Sequence, residues 1–116
     1  MNNFRELLVW QKSINFVVRI YEMTRSFPNE ERYNLVSQMQ RAATSISSNI
    51  AEGAGRNTNA LFKQFLTIAI GSAHELETQI IISKQLGYIN GENSEELVTE
   101  LNGIQKMLYA LHNSLQ

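Results

Sequence analysis

The chain has 116 residues, of which 43% are hydrophobic and 18% charged, with a formal net charge of −1. That length suits one domain over residues 1–116 with its own core, the hydrophobic share excludes a disordered tail, and the net charge excludes a strongly basic, histone-like binder. Cysteine is absent, which removes disulfides, thiolate nucleophiles and Cys-ligated metals, and one proline with six glycines leans the composition towards helix.

Apolar residues recur at three-and-four spacing almost throughout. In the first segment Leu7, Trp10, Ile14, Val17 and Tyr21 form such a stripe, which ends at Phe27-Pro28-Asn29, where proline cannot continue a helix. Arg5, Glu6, Gln11 and Lys12 interrupt this segment, so no secretory signal is expected and a cytoplasmic location is. A second helix is predicted to open at Glu30 and Glu31, where acids suit the positive end of the dipole. It runs through Val36, Met39, Ala43, Ile46 and Ile50 to Gly53 and Gly55, which read as a relaxed helix end. Thr58 is the expected cap of a third helix, striped by Phe62, Phe65, Ala69, Ala73, Leu76, Ile80 and Ser83 and stopped by Gly87. Either Asn93 or Ser94 starts a fourth, striped by Leu97, Leu101, Ile104, Leu108, Leu111 and Leu115. Four helices with short connections predict an all-α, antiparallel up-down-up-down four-helix bundle. Trp10, Ile14, Ile46, Ile50, Phe65, Leu76, Ile104 and Leu108 are its expected core.

Three stretches are distinctive: Phe27-Pro28-Asn29-Glu30-Glu31-Arg32-Tyr33, Ser45-Ile46-Ser47-Ser48-Asn49-Ile50-Ala51-Glu52-Gly53-Ala54-Gly55-Arg56, and Ala69 to Gln79 followed by Leu86-Gly87-Tyr88-Ile89. In order and over nearly the whole chain, they resemble the 23S rRNA-intervening-sequence protein family of bacterial four-helix bundles. That family is related to the accessory variability determinant of diversity-generating retroelements. The resemblance implies the bundle fold and a ring- or barrel-like homopentamer. It also implies nucleic acid, or an enzyme acting on it, as a partner, and it carries no settled molecular activity. One departure is Asn57-Thr58-Asn59-Ala60, which lacks the charged residue expected just before the Phe62 turn.

Catalytic patterns are missing. A di-iron bundle needs Glu-x-x-His pairs, yet Gly71 stands three before His74 and Tyr109 three before His112. Thr78 stands where a zinc hydrolase needs its second histidine, and no arginine precedes either histidine at the spacing of helical RNA-cleaving domains. Neighbouring Glu75 and Glu77 point away from His74 around a helix. Gly53-Ala54-Gly55-Arg56 fits no phosphate-loop spacing. The expectation is therefore a non-enzyme with no cofactor and no metal.

Two polar features remain. Gln38, Arg41, Ser45, Asn49, Glu52 and Arg56 lie on one face of the second helix, beside its apolar stripe. They read as a polar interface or network, with a ligand site or a solvated face as the alternatives. Arg5, Lys12 and Arg19 recur by seven and read as one basic stripe on the first helix. The charge is otherwise graded, +2 over residues 1–27, +1 over 28–66 and −4 over 67–116. In a single copy the stripe is a solvated face. Repeated around a ring, it becomes a weakly selective phosphate-binding surface for RNA or DNA.

The first helix also carries a second apolar set, Val9, Phe16, Ile20 and Met23, centred about 110° from the first. A bundle helix needs a stripe of only about 100°. The surplus predicts a cyclic homo-oligomer with Val9, Phe16, Ile20 and Met23 at the subunit interface, five being the count the resemblance implies. A purely structural protein–protein module is the competing reading.

Overall fold

The computed structural model describes residues 3–116. Its helices are α1 (Leu8–Thr24), α2 (Leu35–Ala54), α3 (Asn59–Gln85) and α4 (Gly91–Ser114), with single 3-10 turns at Phe4–Glu6 and Asn29–Glu31. Each helix packs against its successor and α1 packs against α4, closing a four-helix bundle of 43 × 24 × 20 Å. The architecture is the all-α bundle that the apolar spacing predicts. Among the described residues, no helix is long and apolar enough to cross a membrane.

The helix ends follow local chemistry. Thr58 caps α3 by accepting from the Leu61 amide at 3.2 Å. Gly87, with φ of +82°, ends α3: its own amide donates to Lys84 O and the Tyr88 amide to Ser83 O, both at 2.9 Å. That pair of bonds is the Schellman arrangement, and it leaves Gly87 as the chain's one positive-φ residue among those described. Two predicted starts shift. The cap of α4 is Asn90, whose side chain accepts from the Asn93 amide at 2.7 Å, so Asn93 and Ser94 lie inside the first turn. Glu30 and Glu31 belong to the 3-10 turn, and α2 begins only at Leu35.

Gly53 has a different role from the expected helix end. It is buried within the last turn of α2, and a Cβ placed there would lie 2.8 Å from both Phe62 Cδ1 and Phe65 Cβ. The missing side chain lets α2 approach the start of α3 where the chain reverses.

The core contains Met39, Ile46, Ile50, Leu66, Leu76, Ile80, Leu97, Leu101, Ile104 and Leu108. On α1 the two apolar sets exchange roles. Val9, Phe16 and Ile20, expected at a subunit interface, are buried in the bundle's own core, with Phe16 and Ile20 only 1% and 0% exposed. Met23 packs against that core, and so do Trp10 and Val17, which remain only partly buried. Ile14 is likewise half-buried and Tyr21 is exposed. The reason is that Ser13 and Thr24 share the inner face and are satisfied there. Ser13 Oγ donates to Trp10 O at 2.7 Å and so accepts from Ser47 Oγ at 3.0 Å, while Thr24 Oγ1 donates to Ile20 O at 2.8 Å. Phe65, also expected in the core, is half-buried, with Arg56 lying 4.7 Å above its ring.

Candidate functional site

The polar line of α2 faces α3. Asn49 Nδ2 donates to Ser45 O at 2.8 Å and to Ser45 Oγ at 3.0 Å. Ser45 Oγ lies 2.8 Å from Ser72 Oγ on α3, so the Ser45 proton is free to complete a relay from Asn49 through Ser45 to Ser72. Towards the far end, Arg56 pairs with Glu52 at 3.5 Å and stacks on Phe65. Both side chains of that pair are substantially exposed, so it contributes about 0–1 kcal/mol at most. Arg41 lines a cavity of about 290 Å³ with Gln38, Ser45, Ser72 and Glu75, without closing an ion pair to Glu75. The arrangement holds two helices in register. It contains no nucleophile paired with a base.

Beside this ridge runs an apolar strip of α3. Leu61, Ile68, Ile82 and Leu86 are exposed and fall within about 60° of one another around the helix. Glu75 occupies the heptad position between Ile68 and Ile82, and it lies next to Arg41 across the cavity. A second strip, Trp10, Ile14 and Val17 of α1, also spans about 60°, and Tyr21, next along the same stripe, lines a cleft with Val36 and Gln40. The polar ridge of α2 thus runs between two unlike apolar strips.

The basic stripe does not survive as a unit. Arg5 precedes α1, in the 3-10 turn. Lys12 and Arg19 are turned towards α4, because Val9, Phe16 and Ile20 take the inner face. Arg19 Nη1 sits 2.6 Å from Glu100 Oε1 and shares a cavity of about 500 Å³ with Glu92, Glu95 and Glu96. Sequence spacing along α1 gave no sign that the acid-rich half of α4 would lie opposite.

The two histidine-neighbour acids point elsewhere. His74 Nε2 lies 3.2 Å from Tyr109 OH on α4, Glu77 accepts from Gln105 Nε2 at 2.9 Å, and Glu75 accepts from Gln79 Nε2 at 3.3 Å. Among the described residues, no three His, Cys, Asp or Glu side chains gather as a metal would require.

One site escaped the sequence reading. A cleft of about 350 Å³ opens at the α1–α2 turn, with Arg25 and Arg32 at its edge and Phe27, Pro28 and Val36 among its walls. Its frame is braced from behind. Tyr88 OH donates to Glu31 Oε2 at 2.8 Å, Asn34 Nδ2 donates to Glu31 Oε1 at 3.0 Å, and Tyr88 packs on Phe27 with ring centroids 5.3 Å apart. The Tyr88 hydrogen bond holds the Glu31 carboxyl below its ordinary pKa, and the same bond raises that of Tyr88. The readable signal was the interleaving of Arg25 and Arg32 with Tyr21 and Phe27 around the proline.

Known proteins resemble this chain over most of its length. The profile of the family described as 23S rRNA-intervening sequence protein matches residues 5–110. A crystal structure from Bacteroides thetaiotaomicron, described as a protein with unknown function from the S23 ribosomal protein family, is 30% identical. The match covers 91% of this chain and 96% of that one, with a TM-score of 0.85. No curated protein matches.

Proposed function

Since the chain belongs to the 23S rRNA-intervening sequence protein family, we propose that it works as a non-enzymatic, cyclic homo-oligomeric binding or scaffold protein. The observation that carries this reading is the pair of unlike apolar strips flanking the α2 ridge: Leu61, Ile68, Ile82 and Leu86 on one side, Trp10, Ile14 and Val17 on the other. A head-to-tail contact needs two different patches on each subunit, and a closed ring follows when the rotation between them closes. The surplus apolar surface of α1 that motivates oligomerisation persists, on the opposite set of residues from the one expected. Met23, Phe16, Ile20 and Val9 leave the interface, and the two outer strips enter it. Five subunits is the count the family resemblance supplies.

The absence of enzymatic activity is part of the proposal, supported by the way Tyr109, Gln105 and Gln79 occupy His74, Glu77 and Glu75. Nucleic acid, or an enzyme acting on it, is the proposed partner class, and the cytoplasm the proposed location. A purely structural protein–protein module is the second reading. The Arg19–Glu100 pair favours it, because it withdraws one of three charges intended for phosphate.

The test is a pair of outward-facing charges. Ile68→Glu with Ile82→Glu should leave the far-ultraviolet helical signal intact and lower the assembly mass, since a carboxylate buried in an interface is costly. An unchanged mass would remove the α3 strip from the interface.

A further inference from the structure

We infer that the cleft at the α1–α2 turn is a binding site for a nucleoside phosphate, with Arg25 and Arg32 taking the phosphate and Tyr21, Phe27 and Val36 taking the base. Three observations converge on it. First, both arginines edge the cleft and neither forms an ion pair among the described residues. This is not for want of acids nearby. Glu31, adjacent to Arg32, has each carboxylate oxygen engaged by a different donor, Tyr88 OH at 2.8 Å and Asn34 Nδ2 at 3.0 Å. Glu22 and Glu30, the other acids of this turn, reach neither guanidinium within ion-pair distance. Two planar, permanently charged forks without an ion pair at one opening, Arg32 lying 5.2 Å over the Tyr33 ring, suit a phosphate, which each can bind through two N–H groups.

Second, the walls suit a flat apolar ring. Phe27 and Val36 are buried against the core, while Tyr21 stays 43% exposed at the edge. A volume of about 350 Å³ lies at the lower end of the range for small-molecule sites, which matches one nucleotide better than a longer ligand. Gln40 supplies a polar point. Its Nε2 donates to Thr24 Oγ1 at 3.3 Å, and no described donor reaches its Oε1, leaving an acceptor for a base amino group. Third, the cleft is pre-formed. The Tyr88–Glu31 bond and the Phe27–Tyr88 ring contact tie the turn to the α3–α4 connection, so little ordering is left for the ligand to impose.

The nucleotide is either free or the 5′-phosphorylated end of a strand. The strand-borne form rests on the nucleic-acid part of the proposed function, and the free form does not. Adenosine monophosphate is titrated calorimetrically at low salt, and a 3′-labelled, 5′-phosphorylated RNA dodecamer is titrated by fluorescence anisotropy. Each is measured with the wild type, Arg25→Gln, Arg32→Gln and the control Lys106→Gln, on the far helix α4. All three positions are exposed, and circular dichroism confirms that the variants fold. Loss of either cleft arginine should weaken binding about tenfold or more, the scale of a charge-assisted bidentate contact, while Lys106→Gln leaves it unchanged. Binding of the mononucleotide alone, with that dependence, supports the site and assigns it to free nucleotide, and it counts against the nucleic-acid partner. Binding of the strand with the same arginine dependence supports the site and the partner together. Strand binding indifferent to Arg25 and Arg32 overturns the site and leaves the partner standing. Binding of neither probe overturns the site, as does inorganic phosphate binding as tightly as the mononucleotide, because the apolar walls would then contribute nothing.

Discussion

Replacing glycine by alanine at two helix positions should have opposite signs. At Gly53 the new methyl would sit 2.8 Å from Phe62 Cδ1 and 2.8 Å from Phe65 Cβ. The first neighbour is part of a ring that can pivot, but Phe65 Cβ is fixed to the α3 backbone. Relief therefore requires the α2–α3 crossing to open, and overpacking of this kind costs about 1–3 kcal/mol. Alanine returns up to about 1 kcal/mol through helix propensity, and less this close to the helix end. The net expectation for Gly53→Ala is a loss of about 1–2 kcal/mol. Gly103, exposed on α4, has nothing within 4 Å of the corresponding position. Gly103→Ala should therefore stabilise by about 0.5–1 kcal/mol. Urea unfolding followed by circular dichroism, at one protein concentration for all variants, gives the two midpoints. If Gly53→Ala shifts the midpoint upwards as Gly103→Ala does, the close approach at Gly53 is not the reason for glycine there.

Three further outcomes follow from the packing. Leu108→Ala, at a fully buried position, should cost about 2–5 kcal/mol by urea unfolding, and a loss below about 0.5 kcal/mol would mean that α4 is placed wrongly. Phe16→Glu should unfold the subunit itself rather than release folded subunits, because Phe16 lies inside the bundle; a soluble, helical monomer would return it to an interface. Tyr88→Phe should lower the thermal midpoint at near-neutral pH. Glu31 has a lowered pKa, so its contribution is present above the ordinary 4.5 and fades as pH falls through the lowered value. Tyr88 has a raised pKa, so its contribution is present below 10.0 and fades as pH rises beyond it. The gap between wild type and variant should therefore be widest between those limits, and a gap independent of pH would show that the hydrogen bond does not matter.

The helices were legible because their apolar spacing is nearly unbroken and because Thr58 and Gly87 carry unambiguous end signals. The rotation of α1 was not. Trp10-Ile14-Val17-Tyr21 and Val9-Phe16-Ile20 both step by three and four, and the larger, more continuous set looked like the core. What reverses the choice is polar satisfaction: Ser13 and Thr24 break the inner stripe on paper but close hydrogen bonds within it, to Ser47 and to the helix backbone. Trp10 and Tyr21, each with an apolar body and a polar handle, suit the half-buried edge. That single rotation carries Lys12 and Arg19 towards the glutamates of α4, which is why the basic stripe could not be judged without the fold. The cleft at the α1–α2 turn was missed for a related reason. Glu30 and Glu31 read as helix-start acids, whereas the turn spends Glu31 on Tyr88 and Asn34 and leaves two arginines without an ion pair among the described residues.

Assembly is the claim on which the functional reading depends, and the mass of the native protein in solution tests it most directly. Light scattering coupled to size exclusion, at micromolar concentration, should return a multiple of the 13.2 kDa subunit, with about five subunits if the ring resembles those of its family. A mass of 13.2 kDa across that range would contradict the assembly and with it the role assigned to both apolar strips.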